Sequence, residues 1–124
     1  MYVYSNTTGN QPTQKGVSVS RVIKPISLRD QEHEILLRSA KALQVSLKDY
    51  VESVLVVYMA MVKKGDDVQF MVPQKVNTAK PFAMSINIGK QVKEISCQKG
   101  VSQVNFIYSA LMWHIAQMSG AMTS

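Results

Sequence analysis

The chain has 124 residues, with 14 Lys and Arg against 8 Asp and Glu and a formal net charge of +6. That length suits one compact domain with a packed core, and the basic excess favours a polyanionic partner, nucleic acid ahead of an acidic membrane surface or acidic protein. The single cysteine, Cys97, excludes an internal disulfide, and the longest apolar stretch, Tyr50 to Val62, is too short to span a bilayer and is interrupted by Glu52 and Ser53.

Residues 1–20 are polar, rich in Ser, Thr, Asn, Gln and Gly, and are expected to form a mobile tail. They lack the basic and apolar regions of a secretory leader, so the expectation is a soluble protein of a reducing compartment. The first unit is expected over 21–64. From Lys24 to Arg29 the residues alternate, with Ile26 and Leu28 on one face, as in a half-buried strand. Pro25 cannot donate to a ladder, so that strand needs a free edge. Asp30 is the expected N-cap of a helix over Gln31–Leu43 with Ile35, Leu36, Ala40 and Leu43 along one side. After a break at Gln44-Val45, Ser46 is the expected N-cap of a second helix reaching about Lys63. Its apolar positions, including Val56, Val57, Met59 and Met61, predict burial on more than one side, and Lys63, Lys64 and Gly65 mark its end. Residues 65–79 read as a linker, in which Val68 to Val72 forms either a short strand or an apolar segment that packs down.

The second unit, expected over 80–119 before a short tail at 120–124, repeats the first at an offset of 56 residues. Lys80-Pro81 falls on Lys24-Pro25, Val101-Ser102 on Val45-Ser46, and Ser109, Leu111 and Ala116 on Ser53, Leu55 and Ala60. Phe106-Ile107 falls on Tyr50-Val51. The match is weakest in the first helix, where Ile88, Val92 and Ile95 form the apolar stripe, Lys99 replaces Leu43, and Gly100 replaces Gln44.

One strand-helix-helix unit leaves its strand unpaired and its helices half bare. Two copies allow the strands to pair antiparallel and four helices to share a core. The arrangement resembles the ribbon-helix-helix superfamily of DNA-binding proteins, to which Arc and MetJ belong. The resemblance rests on the strands Lys24 to Arg29 and Lys80 to Ser85, and on the turn-and-cap segments Gln44 to Asp49 and Gly100 to Asn105. The family turn commonly reads Gly, aliphatic, Ser; the second copy fits and the first departs at Gln44. It implies a mainly α fold with a two-stranded antiparallel ribbon, a tandem pseudo-dimer within one chain. Tandem members include conjugative TraY-type and T-DNA-transfer VirC2-type proteins, and identity to either is too low for assignment.

The resemblance further implies a ribbon inserted in the major groove of double-stranded DNA. With Ile26, Leu28, Phe82 and Met84 inward, the outward residues are Pro25, Ser27 and Arg29 in one copy and Pro81, Ala83 and Ser85 in the other. Ser27, Arg29, Ala83 and Ser85 are the candidate base contacts: Arg29 bidentate to guanine, the serines by donating or accepting, Ala83 against a thymine methyl. The plainer alternative for Arg29 is a solvated charge beside Asp30. Candidate phosphate contacts are Lys24, Lys80 and Lys48, with Val45-Ser46-Leu47 and Val101-Ser102-Gln103 at the starts of the second helices; Ser46 and Ser102 serve also as simple caps. Implied roles are repressor, or accessory factor in plasmid or mobile-element transfer or partition, in a prokaryotic cytoplasm. Partners would include a relaxase or partition protein and further copies of the chain on adjacent sites. Two alternatives stand beside this: a protein-interaction module, antitoxin-like or scaffold-like, that keeps the fold without base readout, and an all-helical bundle with no ribbon. The residues hold no phosphate loop, nucleophile motif or spaced metal ligands, so neither enzyme chemistry nor a cofactor is expected.

Overall fold

The computed structural model describes residues 21–66, 68–74 and 78–123, with side chains through Met118; the expected tail at 1–20 lies outside these. The elements run β1 (Arg21–Leu28), α1 (Asp30–Ala42), α2 (Leu47–Lys64), β2 (Thr78–Ser85), α3 (Ile86–Lys99) and α4 (Gln103–Thr123). The fold is thus mainly helical with one two-stranded antiparallel sheet, and the all-helical alternative is set aside. Among the described residues no helix is long and apolar enough to cross a membrane.

The ribbon register places Pro25 opposite Pro81, with Lys24 opposite Phe82 and Ile26 opposite Lys80. Two prolines can face each other only where neither N–H is needed, so this pair holds a non-hydrogen-bonded position. Both proline nitrogens then lie on the free edges that a two-stranded ribbon leaves. The alternation holds: Ile26, Leu28, Phe82 and Met84 are each no more than 1% exposed, and burial of each stabilises the fold by roughly 1.5–3 kcal/mol. Tyr50, Val51, Leu55, Tyr58, Phe106, Ile107 and Leu111, from α2 and α4, fill the same core beside Leu36 and Val92.

Several boundaries differ from the sequence expectation. β1 begins three residues before Lys24, and β2 takes Thr78 and Ala79 from the expected linker, because the register pairs them with Leu28 and Ser27. Arg29, not Asp30, is the N-cap of α1: the Glu32 carboxylate accepts from the Arg29 N–H at 3.0 Å, closing the turn one residue earlier. Leu43 follows α1 and is 65% exposed, and Val56 and Val57 lie on the open side of α2, so α2 is buried on one broad face only. No strand forms over Val68–Val72; Val68 and Phe70 pack against the core. Ser109 fastens this strap by accepting from the Met71 N–H at 2.6 Å. α4 continues through Thr123, past the expected end of the second unit.

The turns between paired helices are built alike. The Val45 N–H donates to the Ala40 carbonyl at 3.1 Å and the Val101 N–H to the Ser96 carbonyl at 3.0 Å, bonds that satisfy helix-end carbonyls. Gly100 has φ 72° and Gln44 has φ 59°. Gln44 therefore adopts the left-handed backbone that glycine favours, although its identity gives no sign of it.

Candidate nucleic-acid interface

The outer face of the ribbon follows from the register. Arg21, Ile23, Pro25 and Ser27 face outward from β1, opposite Ser85, Ala83, Pro81 and Ala79 of β2. The centre of this face is apolar: Ile23, 64% exposed, sits opposite Ala83, beside the two prolines. Ile23 carries no signal of its own in the sequence, where alternation is clear only from Lys24 onward; the same alternation carried further back places it outward, beside Arg21, itself a candidate phosphate neighbour by its charge.

The candidate base contacts are distributed unevenly. Ser27 and Ala83 are half-buried on the outer face. Arg29 lies one residue beyond β1, and its guanidinium is held by the buried Glu32 carboxylate, Nη2 to Oε2 at 2.8 Å and Nε to Oε2 at 3.1 Å. Hydrogen bonding to Glu32 raises its pKa above an already high value. Ser85 ends β2 and caps α3, its Oγ accepting from the Ile88 N–H at 3.4 Å. Its own N–H donates to Glu52 Oε2 at 2.5 Å. Arg29 and Ser85 thus both begin helices, at positions 56 apart.

Lys24 and Lys80 lie on the inner side of the ribbon, half-buried at its margins. Lys80 Nζ sits 2.6 Å from Asp30 Oδ1, and this hydrogen bond and charge hold the Asp30 carboxyl below its ordinary range. Lys48 Nζ lies 3.3 Å from Glu52 Oε2 and 3.7 Å from Asp49. Burial pushes the Glu52 carboxyl upward, but the Ser85 N–H and Lys48 outweigh it and leave the pKa lowered. Ser46 and Ser102 cap as expected, accepting from the Asp49 N–H at 3.1 Å and the Asn105 N–H at 3.0 Å. Val45 and Leu47 flank the first cap, and Val101 and Gln103 the second. Among the described residues no group of three His, Cys, Asp or Glu could hold a metal ion.

Electrostatically the two ends of the ribbon are unlike. α1 holds Asp30, Glu32 and Glu34 against Arg38 and Lys41; α3 holds Lys90, Lys93 and Lys99 against Glu94. The surface at the end shared by β1, α3 and α4 is therefore the more basic. Comparison with protein-family models, with curated proteins and with solved structures gives no match.

Proposed function

We propose that this chain is a tandem ribbon-helix-helix protein that binds double-stranded DNA by inserting its β-ribbon in the major groove. The observation that carries the reading is the ribbon itself. Two strands whose sequences lie 56 residues apart pair antiparallel with Pro25 opposite Pro81, so equivalent residues meet at the centre, as two-fold pairing of two copies requires. A ribbon of this width fits the major groove, and the net charge of +6 suits a polyanion. The biological setting, repression or an accessory role in transfer or partition of mobile DNA, follows by analogy with the superfamily.

With Arg29 tied to Glu32, readout leans on Ser27 and on apolar contact by Ile23 and Ala83, which suit thymine methyls. The test is salt-dependent binding to a pool of duplexes by wild type, Ser27→Ala, Ile23→Ala and Arg29→Ala. Selection of a defined site, with Ser27→Ala and Ile23→Ala relaxing it by about 1–3 kcal/mol per contacted base pair, is expected. If no duplex is held better than bulk DNA at physiological salt, the reading is wrong.

The apolar centre of the outer face supports a second reading, a protein-interaction module. Exposed Ile23 beside two prolines suits docking on another polypeptide. Loss of a protein partner by Ile23→Ala, without any duplex binding by wild type, would select it.

A further inference from the structure

The two sides of the ribbon offer very different surroundings to a phosphate backbone. On one side β1, α3 and the start of α4 enclose an open groove of two joined cavities. One, of about 230 Å³, is lined by Lys24, Lys90, Lys93 and Gln103 among others. The other, of about 500 Å³, shares Lys24, Lys93 and Gln103 and extends to Ser102 at the cap of α4. No acidic residue lines either cavity; Glu94, the single acid of α3, lies outside both. Lys90 and Lys93 are exposed and, three residues apart, share a face of α3. Among the described residues neither they nor Lys24 make an ion pair.

The positions 56 residues away show what the other side lacks. Lys90 corresponds to Glu34 and Lys93 to Leu37. Lys24 corresponds to Lys80, which is neutralised by Asp30 at 2.6 Å; Asp30 itself corresponds to Ile86, on the wall of the groove. Of the cations at these three positions the other side keeps one, and that one is already paired; it carries Lys41 and Lys48 where Cys97 and Val104 line the groove, and Lys48 is paired with Glu52. Charges separated by more than about 8 Å are screened at physiological salt, so an anion feels these local differences rather than the net charge of the molecule.

We infer that the groove formed by Lys24, Lys90 and Lys93 is the principal seat of the nucleic-acid backbone, and that the Asp30–Glu34 side contributes little. The duplex is then held from one side of the ribbon, with phosphate contacts lopsided about its centre. This rests on the reading of the ribbon as a duplex binder and names where its affinity resides.

The experiment is a set of binding isotherms on one duplex across a range of salt for wild type, Lys90→Gln/Lys93→Gln, Lys63→Gln/Lys64→Gln and Glu34→Lys. Loss of two phosphate contacts should flatten the log K against log salt slope by about 2 and weaken binding roughly 30-fold at 0.15 M salt. The Lys63/Lys64 pair, at the far end of α2, should leave both unchanged. Glu34→Lys, which places a cation at the position matching Lys90, should steepen the slope by about 1. All five positions are exposed, and thermal unfolding should confirm intact folds. If wild type binds duplex but Lys90→Gln/Lys93→Gln keeps the wild-type slope, the groove inference is overturned while the ribbon reading stands. If wild type binds no duplex, the ribbon reading fails and the groove loses its assigned partner.

Discussion

Tyr50 and His114 meet edge to face, with ring centroids 5.4 Å apart and planes at 71°. Phe106 and Tyr58, the residues 56 positions from each, meet at 5.3 Å and 73°. The packing is the same and the chemistry is not. Tyr50 Oη lies 2.5 Å from His114 Nε2 and closes a hydrogen bond; Phe106 has no hydroxyl, and the buried Tyr58 hydroxyl has no partner among the described residues. Burial lowers the His114 pKa and raises that of Tyr58. The two halves therefore match in the steric pattern of the core while their polar groups differ. The same holds at the surface, where Glu34 and Leu37 stand against Lys90 and Lys93. Interiors close-packed to within a methylene constrain shape strongly, whereas a solvated charge is nearly free to change.

The comparison is broken most severely in the core. Ile26 and Phe82 occupy matching inward positions, 0% and 1% exposed. If both strands brace one core, Ile26→Ala should cost about 2–5 kcal/mol and Phe82→Ala about 3–5 kcal/mol, read from urea midpoints. A loss below 1 kcal/mol at either position would mean that the halves do not share the ribbon's burden.

Glu52 sharpens the difference between halves, because Tyr108 stands at the matching position. Its carboxylate ties α2 to the start of α3 through the Ser85 N–H. Glu52→Gln should cost about 1–2 kcal/mol at pH 7. The folded pKa lies below the ordinary 4.5, so this stability is present above that pH and disappears as pH falls through the folded value. Wild type and variant should converge in acid; a constant gap from pH 7 to pH 3 would rule out the charge as the cause.

A smaller effect is expected at the matching turns. Gly100→Ala should destabilise by about 1 kcal/mol, since φ is 72°, and Gln44→Gly should stabilise by up to about 1 kcal/mol by relieving the same backbone. Chemical denaturation reads both, and opposite signs are the required outcome. The smallest change is predicted for Tyr58→Phe, within about 0.5 kcal/mol of wild type, because the hydroxyl it removes has no partner among the described residues. Tyr50→Phe, which strands His114, should cost about 1 kcal/mol; equal losses in the two variants would erase the distinction between the halves.

The candidate site was partly legible before the fold was known. Alternation over Ile26–Leu28 and Phe82–Met84 gave the inward face because side-chain period is a local property of a strand. Ser46 and Ser102 were legible as caps for a similar reason: a hydroxyl that begins an apolar helix bonds within three residues. Arg29 was legible as a cation near the ribbon's end but not as a partner of Glu32. That depended on the strand stopping at Leu28, which the register sets. Lys90 and Lys93 passed as ordinary surface lysines, since nothing local relates α3 to Lys24.

By itself, then, the sequence determined the order of elements, the inward residues and the 56-residue correspondence, all of which follow from spacing along one chain. That the two strands pair was already expected from the sequence; tertiary structure alone decided the register, in which Pro25 meets Pro81. It also decided that Lys80 is spent on Asp30 while Lys24 is not. Those outcomes depend on distances between residues some fifty positions apart, and a charge acts through the neighbours it meets in space.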